Sequence, residues 1–370
     1  MTEAKQTTKN QTKLSLSVVD NIEPTPALVE VTDRRRDYVY YGEDNLFPQY
    51  ILDLYYKSSV MGSIVRGMVD YVCGNGIITA DAIKDFSKNV NADYETLEDV
   101  VIKAVFDLIL FDGFAIQVFR DTKGEISEMY NLDFANCRLS GDKKSVYYSN
   151  EWSRFNAKTT KIPVFDRTKQ QRNSIFYFRG QLTPQSKTYP IPQYIGALAD
   201  IRTSTEISNF HLNSILNNFN ASCIINLNCG DVDEETKKRV ENKFNEKFSG
   251  SDNAGKLLLN FNDNKETEMS VVRLQSDDQD KRYEQLARDV VKSIFVAFRA
   301  TPNLFGLATD TTGFNSQEYA EAFKLYNRTV IKPYQLAIQR AFNVLFGLSN
   351  SIIIKPFEMV TENANKETVE

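Results

Sequence analysis

The sequence predicts an α+β protein, with short strands and hairpins filling the first half and long amphipathic helices the second. Three observations carry that expectation. Apolar residues recur at steps of three and four from Ile51 to Val72, which is helical spacing. Two strand-like runs, Phe114 to Phe119 and Ile126 to Leu132, flank the turn residues Thr122-Lys123-Gly124 and read as a hairpin. From Tyr194 onward, helical and strand-like stretches follow one another to Phe346.

Residues 1–36 are expected to form a disordered arm, rich in Thr, Lys, Asn and Glu and carrying Pro24 and Pro26. Arg34, Arg35 and Arg36 close it, as a solvated basic face or as a contact to nucleic acid or an acidic partner. A short strand is expected at Tyr38 to Tyr41. Asn45-Leu46-Phe47-Pro48 then opens the helix that carries Leu54, Tyr55, Val60, Ile64, Met68 and Val72. Gly74-Asn75-Gly76 ends it, with glycine free to take a left-handed cap. A second helix is expected over Glu95 to Leu110, followed by a turn at Asp112-Gly113. Residues 133–188 read as short strands and turns, Ser145 to Tyr148 and Ser174 to Phe178 among them, and Pro190 and Pro192 mark a boundary.

Tyr194 to Phe219 reads as a helix with apolar ends and a middle, Arg202 to Asn209, that is polar on nearly every side. A core helix has a dry stripe along its whole length; this pattern fits a spoke whose flanks touch copies of itself. Strands are expected at Cys223 to Leu227, Lys256 to Phe261 and Met269 to Leu274. Between the first two, Asp231 or Asp233 caps a short helix bearing Val240, Phe244 and Phe248 on one face. Gln279 to Phe298 is amphipathic, with Tyr283, Leu286, Val290, Ile294 and Phe298 in a stripe. Pro302 to Asn315 is a loop. Asn315 and Glu318 have the spacing of a capping box that starts a last helix running to Phe346. Pro333 lies inside that helix, where it removes a hydrogen bond and crowds the preceding turn, so a kink is expected. The tail from Val360 is polar.

Composition narrows the function. The 370 residues are 42% hydrophobic and 12% aromatic, enough for a sizeable core and two or three domains. No apolar run approaches the roughly 18 residues that a bilayer crossing needs, and the polar start lacks the apolar centre of a signal peptide. A cytoplasmic soluble chain with no membrane partner is the expectation. A formal net charge of −5 argues against a tight DNA binder, which usually shows a basic balance, but not against a protein that DNA slides past. Cys73, Cys137, Cys223 and Cys229 fit neither a zinc nor a redox spacing and are read as free thiols.

The enzyme-like patterns are weak. Gly250 followed by Gly255-Lys256 resembles a phosphate-binding loop, but Leu257 stands where magnesium needs a hydroxyl, and the helix precedes the strand instead of following it. Asp277, Asp278 and Asp280 could hold Mg²⁺, yet a helix start attracts carboxylates anyway. His211 has no triad partner in view. No cofactor or metal is expected and no catalytic constellation emerges, which leaves a protein that works by shape. The alternative is a metal-dependent nucleic-acid enzyme using the acidic trio.

Three segments together resemble the portal proteins of long-tailed bacteriophages. They are Tyr41-Gly42-Glu43-Asp44-Asn45-Leu46-Phe47-Pro48 with the helix ending Gly74-Asn75-Gly76-Ile77; Asp112-Gly113-Phe114-Ala115 with the hairpin to Leu132; and Ala297 to Gly306 followed by Gly313-Phe314-Asn315-Ser316-Gln317-Glu318 and Thr329-Val330-Ile331-Lys332-Pro333. The resemblance spans residues 40 to 346, and another phage head-tail assembly protein is the alternative reading beside it.

That resemblance implies a portal fold: a disordered arm (1–36), an α/β wing (37–192), stem helices (193–220 and 277–300) flanking an α/β clip (221–276), a tunnel loop (301–315), a long kinked helix returning to the wing (316–346) and a short C-terminal crown or tail (347–370). It also implies a dodecameric homo-oligomeric ring at a capsid vertex of the virion, assembled in the host cytoplasm. Double-stranded DNA would pass through it non-specifically. A terminase packaging motor, the major capsid protein and a head-tail adaptor would be its partners. The loop residues Leu307, Ala308, Thr309, Asp310, Thr311, Thr312 and Gly313 would line the channel, being small, hydroxyl-bearing and nearly uncharged.

Overall fold

In the computed structural model the described residues are 28–32, 36–154, 156–184, 186–216, 223–228, 235, 239, 257–262, 270–273, 279–307 and 316–357. Several sequence expectations lie outside them: the arm to residue 27 with Arg34 and Arg35, the caps Asp231 and Asp233, the face of Val240, Phe244 and Phe248, Gly250 to Lys256, Cys229, Asp277 and Asp278, Ala308 to Asn315, and the tail from 358.

β1 (Glu30–Thr32) pairs antiparallel with β2 (Val39–Tyr41). The stretch expected as one helix is two, α1 (Phe47–Lys57) and α2 (Ser59–Cys73). Ser58 divides them: its backbone is extended, its N–H ends α1 on Leu54 O, and its hydroxyl caps α2 at Met61 N. One serine thus serves as the stop of one helix and the start of the next, while the apolar period runs on across it. Gly74 also departs from expectation. Its φ is +56° but its ψ of −131° is not that of a left-handed helical cap. Glycine is needed there because the C-terminal chain passes so close that a Cβ would lie 2.2 Å from Lys355 O.

After β3 (Ile77–Thr79), α3 (Leu97–Phe111) begins at a full capping box between Thr96 and Asp99 and ends at Asp112 in left-handed geometry. Ten of its fifteen side chains are buried, and Asp99, Ile102 and Lys103 mark its exposed side. α3 packs on β4 (Gly113–Arg120), the centre of an antiparallel sheet with β5 (Ile126–Leu132) and β9 (Asn173–Arg179) on either side. A second antiparallel sheet runs β6 (Cys137–Leu139), β7 (Ser145–Tyr148), β8 (Thr160–Pro163).

Where these layers meet, Arg138 is fully buried. Its guanidinium donates to Asn45 Oδ1, Asn45 O, Ala135 O, Cys137 O and Gln49 Oε1, and lies 4.9 Å from the Trp152 ring centre. Tyr41 and Tyr189 stack at 4.1 Å beside it.

A 3-10 turn at Ile195–Ala197 leads into α4 (Leu198–Leu216). α4 and α5 (Gln279–Ala297) run alongside each other, and between them in sequence lies the sheet β11 (Leu257–Asn262), β10 (Cys223–Asn228), β12 (Ser270–Arg273). β10 and β11 are parallel, which requires a crossover connection; Glu235 and Arg239, the described residues within it, are helical. Within α4 the polar waist differs from expectation. Ser204 Oγ lies 3.1 Å from Ser58 Oγ, and Thr203, Thr205 and Ser208 return their hydroxyls to carbonyls four residues back. The waist is therefore partly covered. The wet stretch lies further along, from Ser208 to Leu212, with His211 exposed beside Phe210.

The last helix comes in three parts: α6 (Ser316–Tyr326), a π-helical turn (Asn327–Ile331) and α7 (Lys332–Phe346). Beyond Gly347 the chain returns as β13 (Ile352–Ile354), antiparallel to β3.

Candidate channel loop and its base

Of the loop residues singled out from sequence, Leu307 is described and is exposed; Ala308, Thr309, Asp310, Thr311, Thr312 and Gly313 are not among the described residues. Pro333 is the second residue of α7, exposed, just beyond the π turn. The irregularity in the long helix thus precedes the proline, whose ring crowds the turn before it. The metal-ligand reading of Asp277, Asp278 and Asp280 rests mainly on residues outside the described set. Among the described residues no group of three or more His, Cys, Asp or Glu converges on a point, and no helix is long and apolar enough to cross a membrane. Cys73 and Cys137 are free thiols.

The structure does resolve how the two ends of the loop are held. Pro302 opens a 3-10 turn through Phe305, and Gly306 follows at a φ of +79°. Leu307 N–H then donates to Pro302 O at 3.1 Å, which closes the turn. Tyr71, from α2, donates its hydroxyl to Leu304 O at 2.8 Å. Phe305 lies against Gly67 of the same helix, so close that a Cβ there would meet its ring at 2.7 Å. Gly67 and Tyr71 are one helical turn apart on one face, and together they seat the chain entering the loop.

The chain leaving the loop is held by the same cluster. Phe323 and Tyr326 of α6 are buried, with ring centres 5.8 and 5.9 Å from Tyr71. Phe305 contacts Tyr326 at 6.0 Å and Phe295 of α5 at 5.9 Å, and Phe357 closes the group against Tyr71 and Phe323. The two contacts of Phe323 are tilted and the other pairs edge-on, each worth about 1 kcal/mol beyond area burial. Burial and the Tyr319 hydroxyl push the Tyr71 phenol up, and burial does the same to Tyr326, so both stay neutral in ordinary buffers. Sequence reading passed over Gly67 and Tyr71. The available signal was a glycine inside an otherwise strong helix, costly unless something packs against it.

Aromatic contacts to Tyr71 of α2 thus hold both ends of this loop. A family model described as phage portal protein matches residues 84–360, well over half of the 370, so the chain belongs to the phage portal protein family. It is a portal protein of a phage virion, a structural component and not an enzyme, and a part in DNA packaging follows from the family. A comparison with curated protein sequences gives no match. Among solved structures, the neck of a native gene transfer agent particle computed with C12 symmetry is similar at a TM-score of 0.55 and 16% identity, covering 84% of each chain. An HK97 family phage portal protein from Corynebacterium diphtheriae is similar at a TM-score of 0.54 and 11% identity, covering 84% of this chain and 95% of that one. At these identities the likeness speaks to the fold, which is the mixed helix-and-sheet fold expected.

Proposed function

We propose that twelve copies of this chain close into a ring through which double-stranded DNA passes during packaging and ejection. Residues 37–192 form its wing, 193–220 and 277–300 its stem, 221–276 its clip, 301–315 its tunnel loop and 316–346 the helix returning to the wing. The observation that carries this reading is the pairing of α4 with α5 around an inserted three-stranded sheet, with exposed apolar residues on both helices: Leu212 at 55% and Val296 at 76%. Such side chains are covered when neighbouring subunits meet side by side. The twelvefold symmetry of the gene transfer agent neck supports the number.

In this reading Leu307 to Gly313 face the lumen and, carrying Asp310 as their one charge, guide phosphates without gripping them. The terminase packaging motor and the head-tail adaptor dock at the clip, the major capsid protein surrounds the wing, and the ring forms in the host cytoplasm before joining the virion. Residues 1–36 and 347–370 flank this machinery as arm and short crown or tail. Light scattering with negative-stain imaging tests the proposal. A closed particle of about twelve 42.3 kDa subunits with a central hole is expected. A compact dimer that cleaves DNA with a divalent metal, and loses cleavage on Asp277→Ala or Asp278→Ala, would replace this reading with the nuclease.

A further inference from the structure

Pro333 takes an N–H out of the helix that follows the loop. In a regular α-helix that N–H would go to the carbonyl of residue 329, four positions back. Two features answer the loss. The chain winds into the π turn at Asn327–Ile331, where Lys332 N–H reaches Asn327 O, five residues back. The Thr329 carbonyl, left without its helical donor, accepts from Arg299 Nη2 at 3.1 Å.

Arg299 belongs to the other side of the loop. It follows the last residue of α5 by two positions and stands at the end of a Schellman turn, with its own N–H on Val296 O and the Ala300 N–H on Phe295 O. Its φ is +54°, a left-handed conformation that favours glycine. An arginine in a glycine position is explained if its side chain does something glycine cannot. Here the side chain crosses from the chain entering the loop to the helix leaving it.

We propose that Arg299 is a positioning residue: its guanidinium stands in for the N–H that Pro333 lacks, and so fixes the spacing between the two ends of the 307–315 loop. The aromatic cluster seats each end on α2. The Arg299 bond ties the ends to each other. Both parts of the device depend on the proline, because with an ordinary residue at 333 the Thr329 carbonyl would be satisfied from within its own helix. The meaning of the loop rests on the channel reading; the bond itself does not.

Hydrogen–deuterium exchange on the full chain tests this with R299G, P333A and the double variant. Glycine suits the left-handed position, so R299G keeps the end of α5 folded while removing the tie. The expected result is exchange in 316–331 faster by about tenfold, with α3 and β4 unchanged. In the P333A background the same substitution should change exchange by less than about twofold, because the two sites are coupled through one carbonyl. Unchanged exchange at 316–331 in R299G, or an equal rise in both backgrounds, overturns the proposal. R299G alone decides the first of these even if P333A folds poorly. A chain that forms no ring would sink the channel reading and still report on Arg299.

Discussion

In the body around α3, the fully buried guanidinium of Arg138 finds five acceptors within its own chain. Along α4 and α5 the imbalance runs the other way. Phe210, Leu212, Leu286 and Val296 are all more than 40% exposed, on helices whose inner faces are already used. The first region buries its apolar side chains and its central guanidinium within one chain. The second leaves apolar area uncovered, and such area marks a surface meant for something else. A subunit that must fold before it assembles has reason to divide its residues this way.

The sharpest way to break the contrast is to remove the centre of the self-sufficient region. Arg138→Met keeps much of the volume but leaves buried carbonyl and amide oxygens without donors, each costing about 1–3 kcal/mol. A loss of about 4 kcal/mol or more in urea unfolding is expected, or failure to fold at all. A loss below about 1 kcal/mol would mean that the network is not what holds this region together.

Asp107 sharpens the same point from the opposite side. Burial pushes its carboxyl up to about 8, against the weaker downward pull of the Asn131 amide; Asp112 is raised by burial to about 6. Both folded values lie above the ordinary carboxyl value, so the folded chain holds protons that the unfolded chain releases. Stability should therefore be greatest near pH 4, fall as pH rises towards 8, and level off above that. Asp107→Asn should flatten the slope between about pH 6 and 8 and stabilise the chain at pH 8 by about 1–3 kcal/mol. Thermal melts across that range check it; a slope unaffected by the substitution would remove Asp107 as its source. Gly67→Ala, whose new methyl meets the Phe305 ring at 2.7 Å, should cost about 2 kcal/mol and loosen the loop's base, read by unfolding and by Phe305 side-chain NMR.

How much of this was legible follows from the range of the interactions. Periodicity placed α3 within two residues and the β4–β5 hairpin within one, because local spacing decides both. The break at Ser58 escaped, since the apolar period continues through it and only a polar serine marks the join. Gly74 was recognised as special for the wrong reason: its constraint comes from Lys355, far along the chain. Pro333 announced an irregularity, but its answer, a π turn with a guanidinium brought from residue 299, is a tertiary fact. The aromatic clamp on the loop draws on α2, α5, α6 and Phe357 at once, and no single window of sequence contains it.

The smallest expected change in stability is the most telling about the second region. Phe210→Ser with Leu212→Ser exchanges two exposed apolar side chains, 45% and 55% accessible, for polar ones on the far half of α4. Both side chains are largely exposed, so unfolding of a lone subunit should move by no more than about 0.5 kcal/mol. In a ring whose subunits cover these residues, the same exchange removes apolar contact once per interface, repeated around the circle. The mass by light scattering should then shift from closed ring towards free subunit at concentrations where the parent chain is assembled. If instead the variant assembles normally but melts several degrees lower, the side chains are packed within their own subunit. The division between a self-completed body and an outward-facing helix pair would then be lost.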